Sequence, residues 1–223
     1  MFKLNIHKLE NLIKVSQSAD KTKDPVKQVT ELGLASSCTI YVFDEKNQWS
    51  GSGFHIGEGN IITAAHVVPK RVPISEVKIS FDNKNFYNAD ILVSESNSDV
   101  AVLNCPQITK SIPALNLGNS DMLEVGDLVI IVSAPEGFHD TVTYGRVSNI
   151  HQSVRGANLP AWSDIIFIDA EIMEGSSGGM VLGIDGLVYG IVIGVTGSHA
   201  DLGIGESSVS PSNKIQSVLQ SLK

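Results

Sequence analysis

Residues 61–68 read Ile61-Ile62-Thr63-Ala64-Ala65-His66-Val67-Val68, a short apolar strand that runs into a corner of small residues and delivers a histidine. β-Branched residues favour an extended run, and the Ala-Ala pair lets the backbone turn closely where the run stops. Outward from this stretch the text stays of one kind. Thr39–Phe43, Gly53–Ile56, Ile61–Ala64, Val77–Phe81, Ala89–Val93 and Val100–Leu103 read as one set of strands, punctuated by Gly, Asn, Asp and Pro. A Pro- and Asn-rich joint around Pro106–Ser120 leads to a second set: Leu128–Ser133, Tyr144–Ile150, Ile165–Ala170, Met180–Ile184 and Leu187–Ile193. Asp185-Gly186 between the last two is the signal of a two-residue hairpin. Helical spacing is confined to the ends. Phe2, Ile6, Leu9, Leu12 and Ile13 share one face of an amphipathic segment over 2–16, and a polar linker follows over Ser16–Lys23. Asp24 before Pro25 opens a short helix through Leu32 that Gly33 is expected to end. A last helix starts near Pro211, with Ile215, Val218, Leu219 and Leu222 apolar. Many short strands in two clusters with helices only at the ends give an all-β class, either two antiparallel barrels or a sandwich.

Composition narrows what such a chain can do. At 223 residues and 42% hydrophobic it can bury one sizeable core or two small lobes packed as a unit, and it is not globally disordered. A formal net charge of −8 leaves no electrostatic footprint for phosphate backbones, so no nucleic acid is expected as a partner. No run approaches the ~18 apolar residues of a membrane span. Cys38 and Cys105 are the only cysteines and form no CxxC, which argues against a disulfide scaffold or thiolate zinc site and for two buried thiols of a reducing compartment. The first residues lack the apolar core and small-residue cleavage site of a secretory signal, so the expected location is cytoplasmic. The amphipathic segment either docks on its own domain or offers a handle for a homo-oligomer or a regulatory partner.

Three segments carry chemistry. In Gly175-Ser176-Ser177-Gly178-Gly179, glycines on both sides of a serine permit a tight turn, an exposed hydroxyl and converging amide N–H groups, the requirements of an oxyanion hole. His66 ends the opening strand, and Ser98-Asp99-Val100-Ala101-Val102-Leu103 sets an acid at the mouth of another. Taken singly, these also fit a surface turn, a structural histidine and a strand-start cap. Taken together, His66, Asp99 and Ser177 follow one of the chain orders in which Ser-His-Asp triads occur.

With those residues in view, the sequence resembles the chymotrypsin-fold (trypsin-like) serine proteases, most closely the bacterial HtrA/Deg branch. The resemblance covers about residues 25–217. It rests on Gly51-Ser52-Gly53-Phe54, Ile62–Val68, Asp99–Leu103, Leu117-Gly118-Asn119-Ser120, Val125-Gly126-Asp127, Thr141–Ser148, Asp169-Ala170, Gly175–Gly179 and Pro211-Ser212-Asn213. It implies a double β-barrel: the first barrel over about 36–115, the second over about 120–210 and a C-terminal helix over 211–222, all within a protease domain of 24–223. The N-terminal helix and linker fill 1–23.

By the same resemblance Ser177 is the nucleophile, His66 the general base and later acid, and Asp99 the group that orients the imidazole. The N–H groups of Gly175 and Ser177 form the oxyanion hole, and Ile193, Gly194 and Val195 receive the substrate as an added edge strand. The implied function is a serine endopeptidase acting on protein or peptide substrates, with no metal and no organic cofactor. The alternative is a latent or non-hydrolytic peptide-binding module, its oxyanion loop collapsed until a partner switches it on. Ser176 stands where zymogen-activated relatives have an Asp, which argues against activation by N-terminal cleavage. Glu174 stands where HtrA relatives usually have Pro, and no PDZ domain is expected after the last helix. Glu171, six residues before Ser177, lies where an acid selects Lys or Arg, although HtrA relatives prefer small aliphatics; it also fits an exposed strand-end acid. Val192 argues against acidic or Gln selectivity. His55, His139, His151 and His199 show no metal-ligand spacing.

Overall fold

The computed structural model describes residues 24–108, 112–135, 140–154, 162–199 and 204–222. The amphipathic segment and linker expected over 1–23 and His139 lie outside the described residues.

Helix α1 (Pro25–Ser36) begins as its sequence demands, with Asp24 Oδ1 accepting from the Val26 N–H at 2.9 Å and Pro25 in the first turn. It does not end at Gly33. A Cβ on Gly33 would lie 2.7 Å from Leu182 Cδ1 and 2.9 Å from Val132 Cγ2. The glycine is a point of close helix–sheet approach, and the helix runs on to Ser36.

Seven strands form the first sheet: β1 (Ser37–Phe43), β2 (Gln48–Gly57), β3 (Asn60–Thr63), β4 (Glu76–Ser80), β5 (Tyr87–Asn88), β6 (Asp90–Glu95) and β7 (Val100–Asn104). Their order is β5-β4-β1-β2-β3-β7-β6, with antiparallel register throughout. Ile40, Phe54, Ile61, Ile62, Ile79 and Leu103 are fully buried inside it. The expected first barrel is thus a half-barrel: among the described residues β5 and β6 remain the two edges of the sheet. The second barrel closes, in the order β10-β13-β12-β11-β8-β9. Its strands are β8 (Leu128–Ser133), β9 (Thr141–Val154), β10 (Trp162–Ile168), β11 (Met180–Gly183), β12 (Val188–His199) and β13 (Ile204–Pro211). Val129, Ile131, Ile168, Val181, Val192 and Val209 fill its interior. Helix α2 (Ser212–Gln220) closes the chain, with Ile215 and Val218 buried.

The hairpin between β11 and β12 is longer than expected. Gly183 N–H donates to Leu187 O at 3.0 Å and Gly186 N–H to Gly183 O at 2.9 Å, with Gly186 left-handed at φ +77°, so the loop has three residues, Ile184, Asp185 and Gly186. A two-residue turn of the Asp-Gly kind would need both central residues left-handed.

Candidate active site

The β3–β7 register sets Thr63 opposite Ala101, so the segments beyond the two strand ends meet. His66 lies on a short 3-10 turn, Ala65–Val67, just past β3, and Asp99 immediately precedes β7. Asp99 binds this turn three times. Its carbonyl accepts from Ala65 N–H at 3.1 Å, its Oδ1 from the His66 backbone N–H at 2.9 Å, and its Oδ2 pairs with His66 Nδ1 at 2.7 Å. A carboxylate can only accept, so the proton of this contact sits on Nδ1, and Nε2 is the nitrogen turned to other partners. Asp99 is 2% exposed, while 45% of the His66 side chain meets solvent. The pair therefore presents a fixed imidazole at a surface, its Nε2 making no hydrogen bond among the described residues.

The loop that delivers Asp99 is shaped by side chains. Asp99 has φ +53°, a conformation in which Asp and Asn are enriched. Glu95 accepts from the N–H of Asn97 at 3.1 Å and from the N–H and Oγ–H of Ser98 at 2.8 and 2.9 Å. Partial burial alone pushes the Glu95 carboxyl up; those donors, with Lys70, outweigh it and hold it below the ordinary range. From the second barrel, the buried Ser210 Oγ donates to Ser98 O at 2.5 Å.

Ser177 arrives from the other side. Ser176 N–H donates to Met173 O at 3.0 Å with Gly175 at φ +86°, a turn of the type that requires a left-handed third residue. Gly178 N–H donates to Val192 O at 2.8 Å, Val192 N–H returns to Gly179 O at 2.9 Å, and Gly179 N–H donates to Ser176 O at 2.8 Å. Within Gly175–Gly179 two N–H groups, those of Gly175 and Ser177, donate to no acceptor among the described residues. They are the pair expected to form the oxyanion hole.

The loop is fastened to the first sheet beside His66. Ser52 N–H donates to Ser177 O at 2.8 Å and Ser52 Oγ to Gly175 O at 2.7 Å. Gly178, at φ +85°, approaches so closely that a Cβ would lie 2.1 Å from Ser52 O, 2.3 Å from Thr63 Oγ1 and 3.0 Å from Ala64 N. Gly51 does the same for the histidine turn, where a Cβ would meet Val67 at 2.6 Å. Trp49 Nε1–H also holds that turn, donating to Val67 O at 2.8 Å. His66, Asp99 and Ser177 are thus gathered where the sheets abut, with no hydrogen bond between Ser177 and His66.

The expected substrate strand lies next to this loop. Ile193 is buried, Gly194 and Val195 are half-buried, and a bulge between Val192 and Gly194 interrupts pairing with β13. Glu171 is exposed and makes no hydrogen bond or ion pair among the described residues. His55 is buried with Nδ1 3.2 Å from Pro113 O, and His151 Nδ1 pairs with Asp164 at 2.7 Å. No cluster of three or more His, Cys, Asp or Glu groups suited to a metal occurs among the described residues. Sequence reasoning missed Ser52, Thr63, Trp49 and Glu95 as supports. Ser52 had a visible signal, a serine flanked by two glycines inside a strand.

A half-barrel and a closed barrel with a His–Asp pair on one and a Gly-flanked serine on the other define the chymotrypsin-like class. The chain belongs to the trypsin-like peptidase domain family, which residues 51–191 match. It is 31% identical over 158 residues to a probable periplasmic serine endoprotease, DegP-like, of Buchnera aphidicola, covering 70% of this chain and 33% of that one. It is 35% identical over 160 residues to a protein of the same description from Chlamydia muridarum, covering 70% and 30%. The periplasmic serine endoprotease DegP of Salmonella typhimurium is 31% identical over 171 residues, 75% of this chain and 34% of that one. The chain spans about a third of the length of these relatives. In fold it is similar to the HtrA-type protease AlgW with a tripeptide, at a TM-score of 0.77 and 24% identity over 90% of this chain and 64% of that one. It is likewise similar to a Mycobacterium tuberculosis protein in an inactive form, at 0.70 and 22% over 87% and 90%.

These likenesses correct one expectation. The cytoplasmic location does not stand, because the relatives are named periplasmic. The first residues of a chain that spans a third of its relatives' length carry no information about a leader.

Proposed function

We propose that this chain is a serine endopeptidase that hydrolyses peptide bonds of protein substrates through an acyl-enzyme, residues 24–223 acting as the protease domain. Ser177 Oγ attacks the scissile carbonyl carbon while its proton passes to His66 Nε2, and Asp99 steadies the imidazolium through Nδ1. The negative charge that develops on the carbonyl oxygen is met by the N–H groups of Gly175 and Ser177. As the C–N bond breaks, His66 returns the proton to the leaving amine. Water then attacks the ester by the same route, releasing the acid and restoring Ser177. The substrate adds as a strand along Ile193, Gly194 and Val195. By likeness to the DegP-like relatives, the reading includes a periplasmic location.

The observation that carries this reading is the pair of N–H groups on Gly175 and Ser177 that donate to no acceptor among the described residues, held in a loop that is hydrogen-bonded to the sheet bearing His66 and Asp99. The test is hydrolysis of an unfolded protein such as reduced casein by the wild type, Ser177→Ala and His66→Ala. Cleavage by the wild type and its loss in both variants is expected. Cleavage retained by Ser177→Ala would sink the reading.

A further inference from the structure

Ser52 holds a position that its expected place in a plain strand does not explain. It is fully buried in β2, opposite Thr39 of β1, and all three of its polar groups are spent around the nucleophile loop. Its N–H donates to Ser177 O at 2.8 Å. Its Oγ–H donates to Gly175 O at 2.7 Å, and the same Oγ accepts from Ala134 N–H at 2.8 Å. Its carbonyl accepts from Thr63 Oγ1, three residues before His66, at 2.7 Å. Within Gly175–Gly179, Gly175 and Ser177 are the two residues whose N–H groups have no acceptor among the described residues, and the carbonyl of each is held by this one serine.

We infer that Ser52 is a positioning residue of the oxyanion hole, its hydroxyl fixing the orientation of the Gly175 donor. The inference rests on the protease reading above and adds to it a residue outside the triad. Gly175 is left-handed at φ +86° and, as a glycine, has low-energy conformations on both sides of φ zero. Nothing in its own chemistry keeps its N–H aimed. The carbonyl on the same residue is the handle, and Ser52 Oγ grips it. The grip is itself directed: with Ala134 N–H occupying one lone pair, the hydroxyl proton is steered to Gly175 O, so second barrel, first sheet and loop are joined in one line. The contact to Ser177 uses only the Ser52 backbone, so Ser52→Ala removes the Gly175 link and leaves the nucleophile's own anchor in place.

The measurement is the rate of covalent labelling by a fluorophosphonate, whose phosphoryl oxygen needs the same donors, in wild type, Ser177→Ala, Ser52→Ala and Ser52→Thr. Hydrogen exchange at the Ala134 amide is followed by NMR alongside. The expected result for Ser52→Ala is a maximal labelling rate lower by about tenfold to a hundredfold, short of the loss from removing a donor outright. Its KI stays within about twofold, Ala134 exchange accelerates, and Ser52→Thr, which keeps the hydroxyl, recovers most of the rate. Should Ser52→Ala fail to fold, Ser52→Cys, with a similar volume and a weaker donor, carries the comparison. Labelling of Ser52→Ala at the wild-type rate, or a drop confined to KI, overturns the inference alone. A wild type that does not label, or labels equally in Ser177→Ala, overturns the protease reading and the inference with it.

Discussion

Replacing Gly178 by alanine puts the junction between the two sheets to a quantitative test. The added Cβ would sit 2.1 Å from Ser52 O and 2.3 Å from Thr63 Oγ1, where real contacts stay beyond 3.0 Å. The loop and β2 must therefore separate by close to an ångström, and neither obstacle is the far end of a flexible side chain. A left-handed alanine at φ +85° costs about 1–2 kcal/mol. Overpacking adds about 1–3 kcal/mol. The separation also strains the bonds from Thr63 Oγ1 to Ser52 O and from Ser52 N–H to Ser177 O, each worth about 1 kcal/mol. If the strain forfeits both bonds, the whole comes to about 4–7 kcal/mol, a large share of the stability of a domain. Gly126 supplies the control: it is left-handed at φ +94°, yet a Cβ there meets nothing within 4 Å, so Gly126→Ala isolates the backbone cost alone. Urea unfolding of both variants gives the difference, and fluorophosphonate labelling reports whether the Gly178 variant still presents Ser177 to His66. Equal stability of the two variants would refute the reasoning that the sheets meet at this close approach.

Other consequences follow from the same structure. Asp99→Asn should fold, since Asn tolerates the left-handed backbone, yet its NH2 would face either the His66 N–H or the Nδ1 proton; turnover is expected to fall by about 10⁴-fold. Burial and the neighbouring Cys105 push the Cys38 thiol far up, so Cys38 should resist iodoacetamide at pH 8 in the native protein and react once unfolded. Asp82 accepts from the N–H groups of Asn85 and Lys84, which bring its carboxyl down to about 2. The stabilising effect is present above the ordinary value near 3.8 and is lost as pH falls through about 2, and NMR of the side-chain carboxyl should show that midpoint. Glu171→Ala, at an exposed position with no hydrogen bond or ion pair among the described residues, should change stability by less than about 0.5 kcal/mol. Its effect, if it lines the primary pocket, belongs in the ratio of cleavage after Lys or Arg to cleavage after Val or Ala.

The parts of the fold that were legible are those where burial is apolar. Strands such as Ile61–Ala64, Val100–Leu103 and Leu128–Ser133 could be read because β-branched runs fill each sheet's interior. Strand β13 was not, for a physical reason. Its buried face is largely hydroxyl: Ser207 Oγ donates to Ala170 O and Ser210 Oγ to Ser98 O, each at 2.5 Å. Serines buried by bonding backbone carbonyls look polar in sequence and leave no alternation to detect. Gly33 misled for the opposite reason, since a glycine near a helix end signals termination locally, and only the distant Leu182 and Val132 make it a packing contact. At the candidate site, His66, Asp99 and Ser177 could be named from order and neighbours. What joins them could not, because Ser52 and Thr63 each donate a hydroxyl to a backbone carbonyl, which leaves no pattern in sequence, and the Gly175 partner of Ser52 lies 123 residues away.

The central claim is that one serine is activated where the two sheets meet, and the most direct measurement is the position of a covalent adduct. The purified protein is treated with a fluorophosphonate, digested and mapped by mass spectrometry, with His66→Ala treated in parallel. The account predicts a single adduct on Ser177 and its disappearance in the variant. An adduct on Ser176, no adduct at all, or labelling of Ser177 that survives the loss of His66 would contradict it.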